Sequence, residues 1–189
     1  MKQDVIELGA TYHIFNRGNN KKNIFIEDKN YIYILQLLKK YILPIADIYA
    51  YRLLKNHFHI LLRIKDGNAI SHKYKDRPHQ AFSNMFNAYT KAINKAYARS
   101  GSLFQEHLKR KRVMDEKCLV QILGYIHLNP VKHGFTEDYK EYPHSSFKVF
   151  VSNKNSNIDK QTIFNLIDKD SFEYWHHQRV FGLEDIMDL

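Results

Sequence analysis

Two runs of alternating and β-branched residues, 45–54 and 57–64, stand back to back with only Lys55-Asn56 between them. Runs of that kind joined by so short a link make an antiparallel hairpin, and the hairpin constrains everything around it. Its second strand opens Asn56-His57-Phe58-His59-Ile60-Leu61-Leu62. Residues i and i+2 of a strand share a face, so His57 and His59 project together while Phe58 and Ile60 point the other way, toward a core. Two imidazoles in register can hold one divalent ion. The same spacing also describes two half-exposed surface histidines, and the pattern alone leaves both readings open.

The flanking segments complete a fold. Upstream, residues 11–17 alternate and stop at Gly18-Asn19-Asn20, followed by Lys21-Lys22: a strand with a basic loop. Asp28 is a candidate N-cap for a helix over 31–41 that Pro44 closes. Downstream, the polar, basic run 71–78 reads as a mobile loop. A long helix then spans 80–98, with Phe82, Met85, Phe86, Tyr89 and Ile93 on one stripe, stopped by Ser100-Gly101-Ser102. Residues 103–113 read as extended, with Lys109, Arg110, Lys111 and Arg112 in a row. Met114-Asp115 opens a further helix expected to end at Asn129-Pro130. Strand, helix, strand, strand, helix, strand is the ferredoxin-like split βαβ order. The expected α+β fold is an antiparallel sheet with two helices on one face, plus a C-terminal helical extension. Residues 1–150 form the domain, and 151–189 a tail of short helices packed on or beside it.

Composition narrows the partners. A net charge of +9, from 29 Lys and Arg against 20 Asp and Glu, favours a polyanion, nucleic acid first. Aromatics at 14% suit stacking on unpaired bases as well as filling a core. Cys118 is the single cysteine, which rules out an internal disulfide and multi-cysteine zinc sites. Neither a signal peptide nor a membrane span is evident, so a cytoplasmic protein is expected.

In the split βαβ topology the strand bearing His57 and His59 is expected beneath the long helix bearing Tyr89. A tyrosine hydroxyl in line with a metal-bound phosphate could attack the phosphorus. A core tyrosine is the alternative reading of Tyr89, since it lies on the apolar stripe.

Several blocks in order carry a family resemblance: Tyr12-His13-Ile14-Phe15-Asn16-Arg17-Gly18-Asn19, the histidine motif 56–62, Phe86-Asn87-Ala88-Tyr89 running into Arg99-Ser100-Gly101, Tyr125-Ile126-His127-Leu128-Asn129-Pro130-Val131-Lys132, and Ser145-Ser146-Phe147. On these residues the chain resembles the single-tyrosine HUH transposases, above all their REP-associated branch. The resemblance implies a metal-dependent endonuclease and strand transferase acting on single-stranded DNA at hairpin-forming repeat ends, as a monomer or homodimer. It implies His57 and His59 as ligands of Mg²⁺ or Mn²⁺, and Tyr89 as the nucleophile of a 5′-phosphotyrosine intermediate, with Tyr97 the competing tyrosine. The family's Gln one turn after the tyrosine is Ile93 here. Asn94 is the nearest polar candidate for third ligand, although five helical residues rotate it about 140° from Tyr89. Arg17, Lys21, Lys22, Lys109, Arg110, Lys111 and Arg112 are expected to contact phosphates, and Tyr12, Phe15 and Phe104 to stack on bases or fill the core. His127 is expected to pack or to cap a helix. A non-cleaving hairpin-binding protein on the same fold is the second reading. An RNA-binding ferredoxin-like domain ranks below it, because no aromatic RNP signature is present.

Overall fold

A computed structural model describes residues 5–152 and 155–179. Its strands are β1 (Thr11–Arg17), β2 (Ala46–Leu54), β3 (His57–Ile64) and β4 (Lys109–Val113). Its helices are α1 (Asp28–Leu37), α2 (His72–Lys75), α3 (His79–Ala96), α4 (Glu116–Lys132), α5 (Phe147–Val151), α6 (Lys160–Phe164) and α7 (Phe172–His177). The strands form one sheet in the order β2-β3-β1-β4, every neighbouring pair antiparallel. That is the ferredoxin-like order. β1 and β3 lie at its centre, and a bulge between Ile48 and Ala50 bends β2.

The alternation of β3 divides the protein. Phe58, Ile60, Leu62 and Ile64 join Tyr12 and Ile14 of β1 on one face. That face is covered by Ile34 and Leu37 of α1, Leu38 and Ile42 of the π-turn after it, and Phe82, Met85, Tyr89 and Ile93 of α3. On the other face, Ala50, Leu61 and Val113 meet Leu119, Ile122, Leu123 and Ile126 of α4. The sheet is therefore covered on both sides: α4, which lies within the expected 1–150 domain, supplies the second cover, and the segment after residue 150 adds to it. Phe147, Phe150, Ile163 and Phe172 extend this second core, so α5, α6 and α7 pack onto α4. Gly124 makes the approach possible, because a Cβ there would meet the Trp175 ring at 3.1 Å. Residues 153–154 and 180–189 of the expected tail lie outside the described residues.

Several boundaries differ from expectation. The N-cap of α1 is Glu27 rather than Asp28, because the Asn30 side chain accepts from the Ile26 and Glu27 amides and fixes the turn one residue earlier. The run 71–78 contains α2. Of 103–113 only Lys109–Val113 is a strand, the preceding stretch meeting the sheet through the isolated bridge Gly18–Phe104 and through Asn16, whose Nδ2 donates to the Gln105 carbonyl. α4 runs through Pro130 to Lys132. A proline removes one helical hydrogen bond, here the one that the Ile126 carbonyl would accept; two more residues keep helical geometry, and the Phe135 amide bonds to the Pro130 carbonyl.

A chain of buried hydrogen bonds ties α7, α4 and β2 together. His176 Nδ1 donates to the Phe172 carbonyl, so its Nε2 accepts from His127 Nδ1, 2.9 Å away. His127 Nε2 then faces the Ser146 hydroxyl at 2.9 Å, and Ser146 accepts from the Tyr51 amide. His127 is a packing residue, as expected. Each imidazole in the chain is neutral: burial holds His176 at about 4 and His127 well below the usual range. The unfolded chain titrates near 6.5, so from there down to about 4 it binds more protons than the folded one, and stability falls as pH falls. His176 alone should cost roughly 2 kcal/mol on going from pH 7 to pH 5. Thermal melts across that range should show a steady drop in Tm; a flat profile would contradict neutral burial.

Candidate active site

β3 places His57 and His59 on the face that α4 covers. Register puts Arg17 of β1 and Leu54 of β2 opposite His57, and Phe15 and Arg52 opposite His59. His13 and His59 stack with ring centroids 5.0 Å apart, and Tyr125 of α4 stands edge-on to His59 at 5.4 Å. Along α4, Tyr125, Asn129 and the C-cap His133 follow at intervals of four, which stacks them on one stripe. Tyr125 lies by His59 at one end and His133 lies 5.4 Å from the His57 ring at the other. Asn129 sits between them, 0% exposed, and among the described residues neither its Oδ1 nor its Nδ2 has a hydrogen-bond partner. A buried amide left wholly unsatisfied is costly, and its place opposite the histidine pair points to a ligand.

Both histidines are fixed from the same side. His57 Nδ1 lies 2.7 Å from Asn56 Oδ1, and His59 Nδ1 lies 2.8 Å from His13 Nε2. This leaves Nε2 of each as the nitrogen for a metal. Burial, followed by the charge of Arg52, holds His57 at about 3 and His59 well below its usual range, so both rings are neutral at pH 7. Arg17 and His133 add to the effect on His57. Among the described residues no group of three or more His, Cys, Asp or Glu could hold a metal. The donor set that fits a cation here is two imidazoles and the Asn129 amide oxygen, all uncharged.

Arg52 gives the cleft its sign. It is 0% exposed, its guanidinium lies 5.5 Å from the centre of the Tyr125 ring, and among the described residues none of its three nitrogens makes a well-formed hydrogen bond, the Tyr125 side chain being the group that supports its charge. Burial lowers it to about 9, which the Tyr125 side chain partly offsets, and it remains charged at neutral pH. A buried cation with no carboxylate beside it carries an uncompensated desolvation cost, which an anion in the cleft would offset.

The sheet separates Tyr89 from this cleft. Tyr89 is 0% exposed, packs between Phe25, Tyr33 and Phe104, and donates its hydroxyl to the Ile24 carbonyl at 2.8 Å. Burial pushes that hydroxyl far above the usual tyrosine range. Asn94 is on the same wrong side and donates to the Gly101 carbonyl. Tyr97 bonds to Glu27, also away from the histidines. The geometry therefore does not join Tyr89 or Asn94 to His57 and His59. It joins Tyr125, Asn129, Arg52 and His13 instead.

The expected basic residues divide as well. Arg17 ends β1 opposite His57, while Lys21 and Lys22 are exposed on the turn beyond. Gly18 allows that turn, since a Cβ there would overlap the Lys22 carbonyl. On β4 the pairing sets Lys109 against Phe15 and Lys111 against His13, hence on the histidine face. Arg110 and Arg112 fall on the α3 side, where Arg112 pairs with Glu7 at 2.6 Å. Phe15 stacks on His59, whereas Tyr12 and Phe104 are core. A groove of about 670 Å³ between α3 and residues 101–110 also opens on the α3 side. No helix of the described residues is long and apolar enough to cross a membrane.

Comparison with known proteins agrees with the fold. No family model matches the chain. A Haemophilus influenzae protein, named as a REP-associated tyrosine transposase, is 33% identical over 101 residues, which are 50% of this chain and 55% of the relative. The chain thus matches about half the length of that relative. A solved structure of a REP-associated tyrosine transposase bound to a REP hairpin superposes with a TM-score of 0.63 at 16% identity, covering 84% of this chain and 93% of the other. In sequence over half its length and in fold over most of it, the chain resembles the REP-associated tyrosine transposases, the branch of the single-tyrosine HUH group that its motifs indicate.

Proposed function

We propose that the protein cuts and rejoins single-stranded DNA at hairpin-forming repeat ends, with Tyr125 as nucleophile and His57, His59 and Asn129 as ligands of Mn²⁺ or Mg²⁺. One observation carries this reading: a tyrosine, two neutral histidines, an unsatisfied amide and a guanidinium with no carboxylate beside it meet on one face of the sheet. The likeness to hairpin-associated transposases supports the choice of substrate. A bound divalent cation would polarise a non-bridging phosphate oxygen, and three uncharged ligands would leave its full charge for that task.

The chain's own residues supply the rest. The Tyr125 oxygen forms a bond to the phosphorus and the bond from phosphorus to the 3′-oxygen breaks. The phenol proton leaves to solvent, and the 3′-oxygen departs as a hydroxyl after taking a proton. Arg52 stabilises negative charge gathering on the phosphate and on the tyrosine oxygen. Attack by a 3′-hydroxyl on the phosphotyrosine reverses the step and joins strands without an external energy source.

Covalent adduct formation tests the reading, using labelled single-stranded oligonucleotides from the DNA flanking the gene with Mn²⁺ or Mg²⁺. A metal-dependent protein–DNA adduct is expected. Tight hairpin binding without adduct or nick under either metal would replace the enzyme by a binding protein. The face assignment of β4 gives a second test. The double variant Lys109→Ala/Lys111→Ala should lower the salt slope of single-strand binding by about 0.7 for each phosphate no longer neutralised. Arg110→Ala/Arg112→Ala should change it less, and the reverse order would place the DNA on the α3 side.

A further inference from the structure

His13 has no part in the chemistry above, yet it is wholly buried against a proposed ligand. Resting on the metal reading, we propose that His13 is a positioning residue: it accepts a hydrogen bond from His59 Nδ1 and so fixes His59 in the tautomer whose Nε2 can bind the cation.

The geometry allows only two arrangements of the shared hydrogen. His13 Nε2 and His59 Nδ1 are 2.8 Å apart, so one ring donates and the other accepts. If His13 donates, the neutral His59 carries its hydrogen on Nε2 and has no lone pair for a metal. If His59 donates, its Nε2 lone pair is free, and His13 carries its own hydrogen on Nδ1. That Nδ1 is buried with no hydrogen-bond partner among the described residues. An orphaned N–H costs more than an orphaned lone pair, so the ligand-ready arrangement is the dearer one in isolation. A bond to the cation offsets the difference, and loading the site therefore selects the tautomers of both rings with no net gain or loss of protons.

His57 shows the same design with a simpler anchor. The Asn56 amide oxygen can only accept, so it holds His57 as the Nδ1–H form with Nε2 available. Ligating imidazoles are commonly oriented through their second nitrogen in this way, often by a carboxylate. A carboxylate at position 13 would sit in the same buried cluster as Arg52 and Lys111, both of which act on His13, and would neutralise the charge that draws phosphate. An imidazole orients His59 and leaves that charge intact. Phe15 lies tilted against His13 and stacks on His59, and Tyr125 stands edge-on to both, which hinders either ring from turning away.

The test is Mn²⁺ titration by calorimetry on the full-length protein without DNA. His13→Phe keeps a ring but no acceptor, and should weaken Mn²⁺ binding roughly 10- to 100-fold. His13→Gln keeps an acceptor oxygen near the Nε2 position and should stay within about threefold of wild type. Metal-free melting temperatures separate this effect from a loss of fold. Wild-type affinity in His13→Phe would overturn the inference while leaving the metal site standing. No Mn²⁺ uptake by wild type would overturn both. Should His13→Phe fail to fold, ¹⁵N-histidine NMR of the wild type decides: with Mg²⁺ bound, both His59 and His13 should carry hydrogen on Nδ1. A His59 hydrogen on Nε2 would sink the proposal.

Discussion

Tyr125→Phe should form no covalent adduct with single-stranded DNA, a loss of roughly 10⁴-fold or more, as expected when a nucleophile is removed from a site whose parts act together. DNA binding should persist, because the ring still packs against His59 and Arg52 still faces it. Tyr89→Phe should behave in the opposite way. Its adduct yield should match wild type, while stability drops by about 1 kcal/mol because the Ile24 carbonyl loses its buried donor. Gel analysis of adducts and thermal melts of the two variants separate these roles. An adduct that survived Tyr125→Phe and vanished in Tyr89→Phe would return the nucleophile to α3. The histidines could then not be its metal ligands, since the sheet lies between them.

Most of the fold can be read from the sequence. The hairpin, the helix stripes and their order lead to the split βαβ sheet, because strand parity and helix periodicity are local properties. The site is readable only in part. Parity places His57 and His59 opposite Phe58 and Ile60, and that placement already bears on Tyr89. A stripe as apolar as Phe82, Met85, Phe86 and Ile93 needs an apolar partner. It finds one on the Phe58 face, where Phe58 and Phe86 stack at 5.3 Å, so a tyrosine in that stripe is turned away from the histidines. The signal for the alternative is Tyr125 and Asn129 at a spacing of four. It is obscured because Asn129-Pro130 reads as the end of a helix, whereas the helix runs on to Lys132. Asn94 misleads for a related reason, since it lies about one turn from a tyrosine on the far side of the sheet. Arg52 and His13 give no local signal: each is one polar residue on an alternating strand. Their meaning comes from two tertiary facts, the cover that α4 lays over that face and the absence of a carboxylate beside the guanidinium among the described residues.

The same guanidinium yields the second large effect. Arg52→Met should make the protein more stable and nearly inactive. A buried charge supported only by the Tyr125 side chain, with no carboxylate beside it, is a net cost to folding, and replacing buried ions by apolar side chains of similar volume has stabilised proteins by about 1–4 kcal/mol. Methionine fits because its flexible chain can fill the volume between Tyr125 and the β-sheet that the arginine stem now occupies. Adduct formation should fall by about 10²–10³-fold, the size of effect seen when one preorganised stabiliser of developing charge is lost. A gain of stability with loss of function distinguishes this role from a structural one, in which both would fall together. If Arg52→Met lowers the melting temperature, the guanidinium has a folding partner, and the argument that it is held ready for a phosphate fails. If stability rises and the adduct yield does not change, the phosphate does not reach Arg52, and the reacting strand enters from the Lys109 and Lys111 edge without passing between β2 and Tyr125.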